Sequence, residues 1–145
     1  MINVGSDIQR FLDAQASVYN TVLDELNHGR KRTHWMWFIF PQVAGLGESD
    51  ISKYYSIKSL EHASHYVAHP ILGSRLLTCT QLVNRLQNRS ATAIFGSVDA
   101  LKLRSSMTLF SVVLPKEGQF REALDIFFAG TPDEVTLRIA ERWRR

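Results

Sequence analysis

Basic and aromatic residues lie side by side in one short stretch of the chain. Arg32 and His34 belong to the basic run RKRTH, and Trp35 and Trp37 begin the run WMWFIF that follows it. Arginine binds phosphate bidentately, and flat aromatic rings stack on nucleobases or nicotinamide-like rings. The stretch therefore suits a nucleotide or a sugar phosphate. A second interpretation stays open, because the cations can also stabilise the end of a preceding helix while the rings fill the core.

A second group of polar residues interrupts the otherwise apolar segment FGSVDALKLRSSMTLF. Asp99, Lys102 and Ser106 recur at helical spacing and share one face, whereas Arg104 and Ser105 lie on other faces. Lys102 or Arg104 can bind an anion. Ser105 and Ser106 can donate hydrogen bonds to it, and Asp99 can orient a base or a water. The alternative is an Asp99–Lys102 pair that only supports its helix, which contributes about 0.3–0.5 kcal/mol if exposed.

A glycine-containing loop follows the aromatic run. Residues 42–50 include Gly45 and Gly47 and offer the carboxylate of Glu48. A carboxylate on such a loop can act as general acid–base over a bound sugar. Asp99 and Glu48 are therefore the candidate catalytic residues, although a solvated connection is the commoner role of an acidic loop.

The elements that must position these residues are predicted to be helices. Apolar residues from Ile8 to Leu26 recur at a period near 3.6, which predicts one long helix closed by Gly29. Residues 35–40 precede Pro41, and their aromatic and β-branched content is typical of a strand. We favour a short buried helix, because the chain offers no convincing strand partner, and the strand stays open as the alternative.

Capping and breaking residues predict the remaining helices. One helix begins at the cap Ser59, and the next runs from Pro70 to near Asn88. Short helices follow over residues 91–95 and 120–128, and a helix capped by Ser97 lies between them. The last helix begins within residues 131–134, with Thr131 as its predicted cap. The fold class is all-α, a compact orthogonal bundle of six or seven helices, with one domain over residues 1–145.

Composition narrows the class of partner. The 17 Lys and Arg residues against 14 Asp and Glu residues give a net charge of +3, which is modest for a nucleic-acid binder. Nucleic acid is therefore not the expected partner, despite the C-terminal cations Arg142, Arg144 and Arg145. The lone cysteine, Cys79, excludes an internal disulfide and a cysteine-based zinc cluster.

Missing sequence signals also bear on the expected cellular location. No apolar run is long enough to span a bilayer, and no signal-peptide pattern occurs at the start of the chain. We expect a cytoplasmic protein without metal, cofactor or membrane contact, whose partner is a small phosphate-bearing molecule.

Three long segments resemble a bacterial family. They read RFLDAQASVYNTVLDELNHGRKRTHWMWFIFPQVAGLG, YYSIKSLEHASHYVAHPILGSRLL and IFGSVDALKLRSSMTLF. The family is catalogued as domain of unknown function 1810, and the resemblance covers residues 11–130. It implies a compact all-helical domain and little about activity.

A fainter resemblance concerns ligand class. The segment HPIL, a leucine pair, Asp99 with Lys102, and the later serine follow an order similar to the last third of the NADAR (YbiA-like) family. That family is associated with N-glycosidic bonds of ADP-ribose-type or ribosylated-pyrimidine compounds. The resemblance implies nucleotides and phosphoribosyl compounds as ligands. The fuller family motif EHYFQA is matched here only by Glu61 and His62.

These features predict a small enzyme that hydrolyses an N-glycosidic bond in a nucleotide-like or ADP-ribose-like ligand. The alternative is a non-catalytic metabolite-binding or protein-interaction module. The predicted ligand-binding residues are Arg32, His34, Trp35, Trp37, Lys102, Arg104, Ser105 and Ser106. A shared site requires Trp37 and Lys102 to lie on the same side of the fold. At least one tryptophan should be only partly buried, because its indole N–H needs a partner.

Overall fold

Helices form the regular secondary structure of the chain. The computed structural model describes residues 4–144, with side chains from Asp7 onward. In this range lie α1 (Val4–Ala16), α2 (Tyr19–Asn27), α3 (Met36–Ile39), α4 (Asp50–Tyr54), α5 (Leu60–Ala68), α6 (Pro70–Asn84), α7 (Ala91–Phe95), α8 (Ser97–Val113), α9 (Gly118–Phe128) and α10 (Glu134–Trp143). The all-α prediction is confirmed. The predicted number of six or seven helices is wrong, since ten are present in residues 4–144. Arg145 lies outside the described residues.

The predicted elements differ from the observed helices in three respects. The first predicted helix is two helices, α4 was not predicted, and α6 ends at Asn84 instead of near Asn88. The segment between α3 and α4 is a loop as predicted, and Val43 in it forms a parallel β-bridge with Ile57. Within residues 4–144, no helix is long and apolar enough to cross a membrane.

The break between α1 and α2 lies at Ser17 and Val18, where the Val18 N–H donates to the Gln15 carbonyl at 3.1 Å. It lets α1 pack against α3 and α5 while α2 packs against α6. The apolar period continues across the turn, so the sequence pattern does not reveal it. Gly29 closes α2 as predicted, with φ of 74° and the Arg30 N–H donating to the Glu25 carbonyl.

Gln15 ties α1 to the aromatic segment. Its amide is fully buried, and its Nε2 donates to the Phe38 carbonyl at 2.7 Å and to the Tyr66 hydroxyl at 3.2 Å. Arg75 donates to its Oε1 at 3.2 Å. A buried amide without partners costs about 1–3 kcal/mol. The network therefore fixes α3 relative to α1, α5 and α6.

The aromatic run is mostly core, and α3 within it is the short buried helix that its sequence predicts. Trp35, Phe38 and Phe40 are buried, and Trp35 and Phe40 pack against Phe95 of α7 with ring centroids 6.4 and 6.2 Å away. Trp37 alone among the rings of this run is partly exposed. The structure thus confirms that one tryptophan is only partly buried.

The central helix is α8, which packs against α5, α7, α9 and α10. Its N-cap residue is Gly96, with φ of 83°, and Ser97 is its first helical residue. The prediction of a Ser97 cap is wrong because Gly96 ends α7 and starts α8 at once, a sharp junction with positive φ that favours glycine.

The start of α10 also differs from the prediction. Asp133, not Thr131, caps it, with its Oδ2 accepting from the Thr136 N–H at 2.9 Å. The carbonyls of Thr131 and Pro132 accept from the Arg104 guanidinium at 2.9 and 3.0 Å. These long-range bonds hold both residues outside the helix.

The close approach of α5 and α6 depends on one glycine. A Cβ at Gly73 would overlap the carbonyl oxygen of Val67. We expect Gly73→Ala to lower the free energy of unfolding by about 1–3 kcal/mol, the usual cost of overpacking, in urea denaturation. At Gly118, the first residue of α9, a Cβ meets nothing within 4 Å. Gly118→Ala is therefore the matched control, and equal losses in both variants would contradict the close approach.

Candidate functional site

Two of the predicted ligand-binding residues, Trp37 and Lys102, contact each other. Lys102 Nζ lies 4.9 Å from the centroid of the Trp37 ring, within the range of a cation–π interaction. Trp37 of α3 therefore meets the first turns of α8. The two residues lie on the same side of the fold, as a shared site requires.

Asp99 lies between two ammonium groups. Its Oδ2 is 2.8 Å from Lys31 Nζ, and its Oδ1 is 3.5 Å from Lys102 Nζ. The three side chains are 7%, 19% and 20% exposed for Lys31, Asp99 and Lys102, so solvent screens the pairs only in part. Two ammonium groups and one carboxylate leave one net positive charge, which favours an anionic ligand.

Lys31 was not singled out among the site residues, although it belongs to the basic run. Its backbone N–H donates to the Ile94 carbonyl of α7 at 2.8 Å, which places the residue beside the start of α8. Its Nζ is also 5.2 Å from the centroid of the buried Trp35 ring. The sequence shows the cation, but only the fold shows which carboxylate it meets.

His34 completes the group at its exposed edge. Its ring centroid is 6.5 Å from that of Trp37, with 33° between the ring planes. We name the five residues Lys31, His34, Trp37, Asp99 and Lys102 the Trp37 cluster. Together they offer an aromatic surface, two ammonium groups and one carboxylate.

A buried carboxylate holds the segment between α2 and α3, which carries Lys31 and His34 of the cluster. Glu25 of α2 is 5% exposed, and its Oε1 accepts from the N–H of Arg32 at 2.6 Å and of Thr33 at 3.0 Å. The Trp35 indole donates to the same oxygen at 3.0 Å, and the Thr33 hydroxyl donates to Oε2 at 2.6 Å. The indole of the fully buried tryptophan is therefore satisfied inside the protein.

These hydrogen bonds decide the acidity of Glu25. Burial acts to raise the pKa of its carboxyl group. The hydrogen bonds from Thr33, Arg32 and Trp35 stabilise the carboxylate more strongly, and the net effect lowers the pKa to about 2. Glu25 was not among the predicted site residues. The available signal was its place beside Val22 and Leu26 on the apolar stripe of the first predicted helix, now α2.

The polar residues of α8 contact two different parts of the protein, the Trp37 cluster and the residues before α10. Arg104 lies about 200° around the helix from Lys102, and its guanidinium binds the carbonyls before α10. Ser105 donates back to the Leu101 carbonyl at 3.2 Å. Ser106 shares the face of Asp99 and Lys102, is fully buried, and has no hydrogen-bond partner for its hydroxyl among the described atoms.

The other predicted site residues are spread more widely. Arg32 has an exposed side chain at the edge of the segment, and Trp35 is in the core. Glu48 is exposed in the loop before α4. The fold therefore brings His34, Trp37, Asp99 and Lys102 together and places Arg104 elsewhere.

The family is now established by comparison. The model of the family described as "Protein of unknown function (DUF1810)" matches residues 5–140. This chain belongs to that family. The crystal structure of the conserved hypothetical protein Rv1873 from Mycobacterium tuberculosis is similar to it, with 48% sequence identity, a TM-score of 0.91, and coverage of 93% of this chain and 96% of that chain. No curated protein matches the chain significantly.

Two surface cavities of this DUF1810 protein lie away from the Trp37 cluster. One surface cavity of about 450 Å³ is lined by residues of α10, and another of about 530 Å³ is lined by residues 113–117, after the end of α8. Neither is lined by a residue of the Trp37 cluster. Among residues 7–144, no three His, Cys, Asp or Glu side chains are grouped so that they could hold a metal ion. The Trp37 cluster is distinguished by its chemistry, since it joins an aromatic ring, cations and a carboxylate.

Proposed function

We propose that this DUF1810 protein binds a nucleotide-like or ADP-ribose-like ligand at the Trp37 cluster and hydrolyses its N-glycosidic bond. The observation that carries the proposal is the contact of three chemically different groups. Lys102 Nζ lies 4.9 Å from the Trp37 ring centroid and 3.5 Å from Asp99 Oδ1. At this place the Trp37 ring suits a base, the Lys102 ammonium suits a phosphate, and the Asp99 carboxylate suits the chemistry at a sugar carbon.

The binding roles follow from the side chains. The partly exposed Trp37 ring stacks on the base, an interaction worth about 1–3 kcal/mol. Lys102 and Lys31 neutralise the phosphate, and the exposed guanidinium of Arg32 can approach it from the edge. The proposal assigns no role to Arg104, because its guanidinium is already bound by backbone carbonyls.

The proposed chemical step uses Asp99. Its carboxylate accepts a proton from water as the water oxygen bonds to the anomeric carbon of the sugar. The carbon–nitrogen bond breaks, and the base leaves with the electron pair and takes up a proton from solvent. The resemblance to the NADAR family supports this type of bond. Glu48 is exposed and is assigned no step.

A non-catalytic binding module is the second candidate, and a specific observation favours it. Both oxygens of Asp99 are engaged by ammonium groups. In that case Asp99 only balances charge, and the same residues bind the ligand without turning it over. Turnover by the wild-type protein separates the two functions.

Thermal unfolding against a ligand panel tests the binding. The panel is ADP-ribose, NAD, nucleoside monophosphates, ribose 5-phosphate and inorganic phosphate. A ligand present at a hundred times its dissociation constant adds about 2.7 kcal/mol to stability. We expect a raised Tm with ring-bearing phosphates, and we expect Lys102→Met to weaken their binding at least about tenfold, since a charge-assisted hydrogen bond contributes about 1.5–3 kcal/mol.

The control variant is Lys116→Met, which removes an exposed lysine that is not part of the cluster. It should bind like the wild type. No shift with any ligand would exclude the proposed ligand class. An unchanged affinity in Lys102→Met would remove the Trp37 cluster as the site.

A further inference from the structure

We propose that Glu25 is the positioning residue of the ligand site, an inference that rests on the proposed function. It joins α2 to the segment of residues 30–35, which carries Lys31 and His34 and leads into α3 with Trp37. Four hydrogen bonds reach its two oxygens, two from backbone N–H groups, one from a hydroxyl and one from an indole.

The segment depends on this carboxylate because it has few hydrogen bonds of its own. Residues 30–35 lie between α2 and α3 and form no regular secondary structure. The Lys31 N–H is held by Ile94, and the next two N–H groups are held by Glu25. Backbone N–H groups away from water need such acceptors. Glu25 therefore sets the path of the chain from Lys31 to Trp37.

The position of that path decides whether the cluster forms. Lys31 must reach Asp99 at 2.8 Å, and Trp37 must lie under Lys102 at 4.9 Å. A shift of about 1 Å at residues that orient a ligand can cost about a hundredfold in function. The loss of the Glu25 bonds should therefore be felt at residues that Glu25 does not touch.

The role requires a carboxylate. All four partners of Glu25 are donors, and a carboxylate is the side-chain group that only accepts. In Glu25→Gln one oxygen becomes an NH₂ group, toward which only the Thr33 hydroxyl can turn its acceptor side. The three N–H donors then share one neutral amide oxygen, which is a weaker acceptor than a carboxylate, and because Glu25 is only 5% exposed, water cannot easily make up the difference.

Glu25 acts through its neighbours and is not a catalytic residue. Its oxygens are fully used by the segment. The residues whose side chains are proposed to meet the ligand are Lys31, Arg32, Trp37, Asp99 and Lys102, and none of these side chains is bonded to Glu25.

The test compares the wild type, Glu25→Gln and Asp24→Asn. Asp24 is the adjacent acid of α2, 72% exposed, and its variant loses the same charge. Calorimetric titration with ADP-ribose and AMP, at a temperature where each variant is folded, measures binding. Amide hydrogen exchange at Arg32 and Thr33 measures how well the hydrogen bonds to Glu25 protect residues 30–35. We expect Glu25→Gln to bind at least about tenfold more weakly, with faster exchange at those two amides and unchanged exchange in α8. Asp24→Asn should behave like the wild type.

Each outcome decides the matter. Equal affinity in the wild type and a folded Glu25→Gln overturns the positioning role while the proposed function stands. If the wild type binds neither probe, the proposed function fails, and the positioning role that rests on it fails with it. If Glu25→Gln does not fold, Thr33→Val and Trp35→Phe each remove one side-chain donor from the carboxylate. Weakened binding in both supports the role, and wild-type affinity in both overturns it.

Discussion

The variant Asp99→Asn should slow N-glycoside hydrolysis about 10²–10⁴-fold and at the same time strengthen binding of the phosphate ligand. The amide cannot accept the proton of the attacking water, and loss of a general base costs about 10²–10⁴-fold in rate. Its carbonyl oxygen can still accept from Lys31, so the local structure has a reason to persist. The cluster loses one negative charge, and both ammonium groups become free to attract phosphate.

Opposite effects on binding and on turnover make this variant diagnostic. Damage to the fold would weaken both. Single-turnover release of the free base measures the chemistry, and calorimetric titration measures the binding. Asp125→Asn is the control, because Asp125 is 62% exposed and pairs with Arg121 among the described residues. Unchanged turnover would remove Asp99 from the mechanism. If the wild type shows no turnover but Asp99→Asn binds the phosphate ligand more tightly, the protein is the non-catalytic binding module. The phosphate then still binds at Lys31 and Lys102.

Helices were predictable where the chain signals them locally. Gly29 ends α2, Ser59 caps α5 and Pro70 starts α6, each as its residue type indicates. Local signals failed where distant contacts decide. Thr131 has the sequence of a cap, but Arg104, 27 residues earlier, binds its carbonyl and leaves the cap to Asp133.

The site was predictable in part for a similar reason. Helical spacing alone puts Asp99 and Lys102 on one face of α8, and the structure joins them. No local pattern states that this face meets Trp37, because the contact spans 65 residues of chain. The same limit explains why Arg104 was predicted to bind the ligand. The sequence shows its cation, but not the distant carbonyls of Thr131 and Pro132 that accept from it.

Glu25 was hidden for a different reason. An acid in an amphipathic helix ordinarily faces solvent, and its charge gives no hint of burial. Its four donors lie seven to ten residues further along, in a segment without periodicity. An acid on the buried stripe of a helix, followed by an irregular segment, is thus a signal that would have found it.

Acid should destabilise the protein through this same residue. The pKa of Glu25 is about 2 in the folded protein, against 4.5 for an unperturbed glutamate. In this range the unfolded chain takes up the proton more readily than the folded one, so stability falls as the pH falls. The contribution is fully present above about pH 4.5 and is lost as the pH approaches 2. A difference of about 2.5 units corresponds to about 3 kcal/mol.

Urea denaturation of the wild type and of Glu25→Gln at pH 7, 4.5 and 3 isolates this contribution from that of other acids. A protonated glutamate has one donor and one acceptor oxygen, so it resembles glutamine in the same place. The wild type should be more stable than Glu25→Gln by about 3 kcal/mol at pH 7, and the gap should narrow as the pH falls. Asp24→Asn should keep the pH dependence of the wild type. A gap that does not change with pH would mean that the bonds to Glu25 do not depend on its charge, and the four donors would then need another explanation for their convergence on an acid.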